Sequence, residues 1–258
     1  MKIDICIDMI LTEYDWHTRI TKCAEMGINT IEFWDFKPHN LQILKSVLAE
    51  WDVTPLAFIG NWSPRNLPLI DQSKRKAVIQ QLLEAVDFAT QIEAKNIVVL
   101  PGFESAGFDR EEMWKSCVQR LGEAADIVSG QGITLLLEVL NRTDHPGAFL
   151  YSIQDAIRMI KETGRDLKLM LDIFHQAKEE KDLVDTIKIS AKYLGHIQIA
   201  DIPDRHEPGT GRVDWKSVLN TLKEIRYNGY LGFEYTPSIK SEDSIRKSVN
   251  YLKRKLAI

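Results

Sequence analysis

Two different periods of apolar residues alternate along this chain. Segments in which apolar residues recur every three or four positions are typical of helices with one buried face, and the short apolar runs between them are typical of strands. Two helical stripes are formed by Leu41, Leu44 and Leu48 and by Val78, Leu82, Ala85, Ala89 and Ile92. The predicted strands are Ile3–Asp8, Thr30–Trp34, Pro55–Ile59, Asn96–Leu100, Thr134–Leu140, Lys168–Asp172, His196–Ala200 and Leu231–Tyr235.

Polar residues and glycines mark the ends of these elements. Ser152, followed by Asp155 three residues later, has the spacing of a capping box, and Asp15, Asp214 and Ser241 are candidate N-caps. Glycine before a strand suits the left-handed turn that ends the preceding helix. The glycines in such positions are Gly27, Gly132, Gly164, Gly195 and Gly229.

Eight strand–helix units predict an α/β protein with the closed (β/α)8 TIM barrel fold. The length of 258 residues suits one such barrel. An open doubly wound sheet is the structural rival, but it normally has a glycine-rich turn after its first strand, and none follows here. Because no linker or low-complexity stretch divides the chain, we expect residues 1–258 to form a single domain.

The composition narrows the classes of function. Hydrophobic residues at 44% and charged residues at 27% are those of an ordinary globular protein. A net charge of −4 argues against duplex nucleic acid as the main partner, because phosphate binding relies on basic patches. The N-terminus lacks a signal-peptide pattern, and no apolar run approaches the roughly 20 residues that span a bilayer. We therefore expect a cytoplasmic protein without a membrane partner; a homo-oligomer is compatible with the sequence.

Four oxygen-bearing side chains interrupt otherwise apolar predicted strands. They are Glu138, Asp172, Gln198 and Glu234, and they lie on four successive strands. Because strand side chains alternate, an inward-facing Glu138 turns Leu137 and Val139 towards the helices, and an inward-facing Gln198 does the same for Ile197 and Ile199. A single acid in a strand is more often structural, but four near adjacent strand ends favour a common site.

A shared cation is the simplest explanation for this set. Three converging carboxylates repel one another unless a positive charge neutralises them. An all-oxygen set suits a hard ion such as Mg²⁺ or Mn²⁺ better than zinc, which prefers histidine and cysteine. The sequence therefore predicts one divalent metal ion at the C-terminal mouth of the barrel.

Other polar residues are interpreted from their distance to this site. His175 lies three residues after Asp172 and is a candidate to bind substrate or donate a proton; its alternative is a surface histidine at a helix start. Glu32 and His196 have inward parity but are interpreted as supporting or structural residues. Arg205, in the loop after the seventh strand, is a candidate to hold a substrate carboxylate or phosphate, with a surface role as the alternative.

Four segments together resemble the hydroxypyruvate isomerase family, within the xylose-isomerase-like group that includes ketose 3-epimerases. They are LLEVLNRTDHPGAFL, LDIFHQ, GHIQIADIPDRHEPGTGRVDW and GYLGFEYTP, which cover most of the second half of the chain. The resemblance implies that Glu138, Asp172, Gln198 and Glu234 bind the metal and that Glu138 and Glu234 are the acid/base carboxylates. It also implies substrate contacts by His175, by Arg205 and by Asp144, which would contact a terminal hydroxyl.

The expected activity is an isomerase that moves a proton between neighbouring carbons of a small α-hydroxy carbonyl compound, through an enediolate. Hydroxypyruvate and tartronate semialdehyde are the favoured pair. The alternatives are a ketose 3-epimerase or 2-oxo-tetronate isomerase with a longer substrate, and a non-catalytic sugar-binding protein. An endonuclease IV-type DNA-repair enzyme would share the fold, but it needs several metals, many histidines and a basic surface.

Overall fold

Strands and helices alternate through the computed structural model, which describes residues 1–61, 65, 67–104, 107 and 109–256. The strands are β1 Lys2–Cys6, β2 Thr30–Phe33, β3 Thr54–Ile59, β4 Asn96–Val99, β5 Thr134–Glu138, β6 Lys168–Asp172, β7 Leu194–Ile199 and β8 Tyr230–Phe233. The helices are α1 Trp16–Glu25, α2 Leu41–Trp51, α3 Arg75–Ile92, α4 Arg110–Val128, α5 Ile153–Thr163, α6 Ile173–Glu179, α7 Leu183–Ser190, α8 Trp215–Glu224 and α9 Ser241–Leu256. A short 3₁₀ helix, Gln72–Lys74, precedes α3.

Each strand pairs in parallel with the next along the chain, and β8 pairs with β1. The sheet is therefore a closed eight-stranded barrel surrounded by helices, and the predicted single-domain TIM barrel is confirmed. Three predicted strands extend two residues too far, namely those that correspond to β1, β5 and β8. β1 ends at Cys6 because the amides of Met9 and Ile10 turn back to its carbonyl oxygen. β5 ends at Glu138, and the amide of Leu140 already donates to the carbonyl of Leu150.

The predicted helix ends are confirmed in most places. The side chains of Asp15, Ser152 and Asp214 accept backbone amides in the first turns of α1, α5 and α8. Ser241 is wrong as an N-cap, because α9 begins at this residue. In the part of the chain that is described, no helix has both the length and the hydropathy to cross a membrane.

The predicted left-handed turn occurs at three of the five glycines. Gly27, Gly132 and Gly164 have φ values of +76°, +72° and +61°. Gly195 and Gly229 are wrong in this respect, since neither has a positive φ. At these two positions glycine is explained by the lack of room for a side chain. A Cβ on Gly195 would lie 2.5 Å from Leu136, and one on Gly229 would lie 2.5 Å from the Tyr227 hydroxyl.

Two apolar layers build the fold. The larger layer fills the space between strands and helices, and it contains Leu137, Val139, Ile197 and Ile199, as strand alternation predicts. The smaller layer lies inside the barrel, where the opposite faces of the strands meet. Its members are Ala57, Ile59, Val98, Leu100, Leu136 and Met170. These side chains support the mouth of the barrel, where the polar residues collect.

Candidate active site

The four oxygen-bearing residues lie together at the carboxyl ends of β5, β6, β7 and β8. Glu138 and Asp172 are the last residues of their strands, Gln198 is one residue from the end of β7, and Glu234 directly follows β8. Their exposures are only 6%, 1%, 3% and 5%. Asp172 pairs with Gln198 across β6 and β7, while Glu138, Gln198 and Glu234 line one small cavity. Adjacent strand ends thus bring three carboxylates into one confined space.

Arg205 provides the positive charge among these acids. Its Nη2 lies 2.9 Å from Oδ2 of Asp172 and also donates to Oε2 of Glu234. Its Nε donates to the backbone carbonyl of Glu234 at 3.2 Å. Burial alone would lower the pKa of Arg205, but Glu234 and Asp172 raise it above its ordinary value. The guanidinium therefore balances two of the carboxylates from a loop residue whose φ is +56°.

His175 packs against the same acids from the first turn of α6. Its Nε2 lies 3.4 Å from Oδ2 of Asp172 and 4.0 Å from Oε1 of Glu138. The backbone amide of Asn141 donates to its Nδ1 at 3.3 Å, which places the ring proton on Nε2. Burial, together with the charge of Arg205, holds the pKa of His175 well below its usual range. The ring is thus a neutral donor directed at the carboxylates.

The carboxyl groups are more easily protonated here than in water. Burial raises the pKa of Glu234 to about 7, although Arg205 opposes the shift. Burial, with the charges of Glu234 and Asp172, raises the pKa of Glu138 well above its ordinary value. Burial also raises the pKa of Asp172. A carboxyl group with a pKa near 7, such as Glu234, can exchange a proton near neutral pH, which general acid/base chemistry requires.

Two residues that the sequence reasoning missed contact Glu234. The indole Nε1 of Trp34 donates to its Oε1 at 2.8 Å, and the thiol of Cys6 lies 3.8 Å from the same oxygen. Both occupy inward positions of their chain segments, so strand alternation could have indicated them. Their residue types gave no signal, because an apolar aromatic ring or a thiol in a strand is usually core.

Asp144 lies at the rim, apart from the acids. Its carboxylate accepts from Nζ of Lys178 at 2.7 Å and from Nδ2 of Asn141 at 2.9 Å. Asn141 also contacts His175, so a short polar chain links the rim to the buried ring. The structure therefore connects the predicted substrate residue Asp144 to the site but does not bring it among the four oxygen-bearing residues.

Gln198 has one end of its carboxamide engaged and the other without a partner. Its Nε2 donates to Oε1 of Glu32 at 2.9 Å, and Nε2 of His196 lies 3.0 Å from Oε2 of Glu32. Its Oε1 is buried and accepts no hydrogen bond from the described residues. A buried carbonyl oxygen without a partner is costly, and a bound cation would satisfy it.

The donor set fits a divalent cation. Ligand atoms of Glu138, Asp172 and His175 lie within 4.8 Å of one another, and Gln198 and Glu234 border the same space. A second such group, formed by Asp4, Glu32 and His196, lies within the barrel. Each group contains one histidine, among the residues that the structure describes. Oxygen atoms thus predominate around the predicted site, as hard cations require.

The sequence matches the family described as xylose isomerase-like TIM barrel over residues 20–255. Hydroxypyruvate isomerase of Escherichia coli (strain K12) is 31% identical over 246 residues, which are 93% of this chain and 95% of that protein. A 2-oxo-tetronate isomerase of Cupriavidus necator is 29% identical and covers 90% of this chain and 91% of its own. A structure described as AP endonuclease, family 2, from Brucella melitensis has a TM-score of 0.90 at 25% identity, covering 97% and 99% of the two chains.

The chain belongs to the xylose isomerase-like TIM barrel family. Its match to named isomerases over nearly their whole length identifies it further as an isomerase. The resemblance inferred from the four segments of the second half is therefore confirmed at the level of family and reaction class.

Proposed function

We propose that this protein is a metal-dependent isomerase of small α-hydroxy carbonyl acids, with hydroxypyruvate and tartronate semialdehyde as its substrate pair. The observation that carries the proposal is the convergence of Glu138, Asp172, Gln198 and Glu234 around one buried space, with Oε1 of Gln198 left without a partner. The relative named hydroxypyruvate isomerase supports the substrate.

Glu138, Asp172, Gln198 and Glu234 would hold one Mg²⁺ or Mn²⁺ ion. When bound, such an ion acts as a Lewis acid that stabilises negative charge on substrate oxygens. His175 is a further candidate ligand, because its Nε2 lies among the same carboxylates. We assign it to the substrate instead, since its bonded Nδ1 leaves a proton on the nitrogen that faces the site.

The glutamates are suited to the proton transfer between carbons. In hydroxypyruvate, a carboxylate removes a proton from C3, which gives an enediolate, and the resulting carboxyl group, whose proton can exchange with solvent, delivers a proton to C2. A second proton passes from the C3 hydroxyl to the oxygen on C2, which yields tartronate semialdehyde without any oxidant or reductant. Glu138 and Glu234 are the proposed acid/base pair, and the raised pKa of each suits a group that accepts and returns a proton.

The neighbouring polar residues are suited to hold the substrate. His175 presents a neutral N–H that can donate to a substrate oxygen and assist the proton transfer from the C3 hydroxyl to the oxygen on C2. Arg205 offers a fork that matches a carboxylate. It would hold the substrate carboxylate once a cation shares the charge of Asp172 and Glu234, to which it is now bonded. Asp144, at the rim, would accept a hydrogen bond from a terminal hydroxyl of the substrate.

A 2-oxo-tetronate isomerase is the second candidate. Three of the relatives carry that name, and Asp144 lies far enough towards the rim to meet a longer substrate. A DNA-repair function is less well supported, although one structural relative is named as an endonuclease. The net charge is −4, and the two possible metal groups in the described residues have one histidine each. The cytoplasmic location and the homo-oligomer stay predictions.

Glutamine variants of the two glutamates test the proposed chemistry. Wild type, Glu138→Gln and Glu234→Gln are assayed with hydroxypyruvate and with 2-oxo-tetronate at saturating Mn²⁺ or Mg²⁺. Glutamine retains an oxygen for the metal but cannot act as a base, so we expect rate losses of about 10²–10⁴-fold. If one base serves both carbons, one variant loses far more than the other.

Solvent deuterium incorporation into recovered substrate isolates the proton-transfer step. Exchange at the wild-type rate in both variants would remove the glutamates from the chemistry. An inactive wild type with both acids under either metal would contradict the proposed substrate class.

A further inference from the structure

The carboxamide of Gln198 has two chemically different ends, and only its oxygen can bind a cation. In the structure its Nε2 donates to Oε1 of Glu32 at 2.9 Å, while Oε1 has no partner among the described residues. An ionised carboxylate accepts hydrogen bonds and donates none. Glu32 therefore selects the amino end of Gln198 and leaves the oxygen available.

Glu32 is itself confined within the barrel. It is 2% exposed, and its Oε2 lies 3.0 Å from Nε2 of His196. Gly232 stands opposite on β8, where a Cβ would be 2.8 Å from Oε1 of Glu32 and 2.9 Å from Nε2 of His196. Because Gly232 has no side chain, there is room for the carboxylate of Glu32. Each oxygen of that carboxylate has one partner, Gln198 at Oε1 and His196 at Oε2.

We propose that Glu32 is a positioning residue, which fixes the carboxamide of Gln198 with its oxygen towards the cation. The inference rests on the proposed function, because it assigns Glu32 a task only if Gln198 binds a metal. Groups that orient metal ligands through hydrogen bonds typically contribute 10–100-fold to metal affinity. Without Glu32, the carboxamide would be free to turn its N–H₂ group, which cannot coordinate, towards the ion.

The direct test is the dissociation constant for Mn²⁺, measured by calorimetry on metal-free protein. We expect Glu32→Leu, which removes the acceptor, to weaken binding by about 10–100-fold. Glu32→Gln keeps the shape and one acceptor oxygen, so its loss should be smaller, and it serves if the leucine variant does not fold. Excess Mn²⁺ should return the turnover of Glu32→Gln close to that of wild type.

Asp4→Asn is the matched control. Asp4 belongs to the same buried cluster, with Oδ2 3.9 Å from Nε2 of His196, but its carboxylate has no hydrogen bond to Gln198. Asp4→Asn and Glu32→Gln each replace one buried carboxyl group with an amide, so both can change the melting temperature of the metal-free protein. Only the Glu32 variants should change the dissociation constant for Mn²⁺.

Equal weakening by Asp4→Asn and Glu32→Gln would overturn the inference, because the loss of any carboxyl group from this buried cluster would then explain the effect. Unchanged Mn²⁺ binding in both Glu32 variants would overturn it and leave the proposed function intact. A wild-type protein that binds neither Mn²⁺ nor Mg²⁺ would overturn both.

Discussion

The interior of the barrel has two unlike sides. The apolar side consists of the inward residues of β3 to β6 below the mouth, namely Ala57, Ile59, Val98, Leu100, Leu136 and Met170. The polar side includes inward residues on or directly after β7, β8, β1 and β2, among them Asp4, Glu32, His196, Gln198 and Glu234. Both sides are buried. Among the residues named here, those of the polar side carry the groups whose burial is costly without partners.

Glu138 and Glu234 show what this difference does to two chemically identical residues. Glu234, on the polar side, accepts from Trp34 and Arg205, and both contacts lower its pKa against the effect of burial. Glu138 stands at the top of β5, above Leu136 on the apolar side, and burial together with two nearby acids raises its pKa well above normal. The two glutamates are therefore not equivalent, and their surroundings give a physical basis for an unequal loss of activity.

The largest expected effect comes from placing a charge on the apolar side. Val98→Asp would bury a carboxylate beside Ala57 and Leu136 with no donor among its neighbours in the apolar cluster. A buried charge without a partner typically costs about 3–5 kcal/mol. We expect a loss of that size in the free energy of unfolding at pH 8, measured by urea denaturation.

Val98→Asn is the control for that substitution, because it has the same shape and no charge. It should cost clearly less than Val98→Asp at pH 8, and the gap should narrow at pH 4 as the aspartate gains a proton. Equal losses at both pH values would mean that water reaches the apolar side, and the contrast between the two sides would then fail.

A smaller effect should appear on removing a charge from the polar side. Burial raises the pKa of Glu234 to about 7, so the folded state holds its proton more tightly than the unfolded chain does. That contribution to stability is complete below the unfolded pKa near 4.5 and is lost as the pH rises through about 7. Metal-free Glu234→Gln should match wild type at pH 5 and exceed it by about 2–3 kcal/mol at pH 8.

Urea denaturation of both proteins in the presence of a chelator, across that pH range, checks this expectation. Saturating Mn²⁺ should reverse the order at pH 8, because the metal stabilises the ionised wild-type carboxylate more than the amide. A stability difference that stays constant with pH would show that folding does not raise the pKa of Glu234.

The sequence predicted the barrel and the inward parity of Glu138, Gln198, Glu32 and His196 because strand alternation is a local signal. The same alternation that indicates Glu138 would also have indicated Asp4, which lies two residues before Cys6 on β1 and is fully buried. The pairing of Arg205 with Asp172 and Glu234 was beyond reach. It depends on a left-handed loop residue that crosses to two other strands, and no spacing in the chain encodes that contact.

The smallest expected effect compares a glycine on the polar side of the barrel with a glycine in a surrounding helix. Gly232 faces the polar side, and a Cβ there would meet Glu32 and His196 at 2.8 Å and 2.9 Å. Gly122 lies inside α4, and a Cβ there would meet nothing within 4 Å. Gly232→Ala should destabilise the protein by about 1–2 kcal/mol, because the surrounding polar groups are already held by partners and cannot move freely. Gly122→Ala should stabilise it by about 0.5–1 kcal/mol, since alanine loses less backbone entropy in a helix.

Urea denaturation of the metal-free variants measures both changes, and calorimetry with Mn²⁺ adds a second result. Gly232→Ala should also weaken Mn²⁺ binding, because displacing Glu32 disturbs Gln198, whereas Gly122→Ala should leave it unchanged. If Gly232→Ala were as harmless as Gly122→Ala in both measurements, the polar side would be loosely packed and could not hold Gln198 in one orientation.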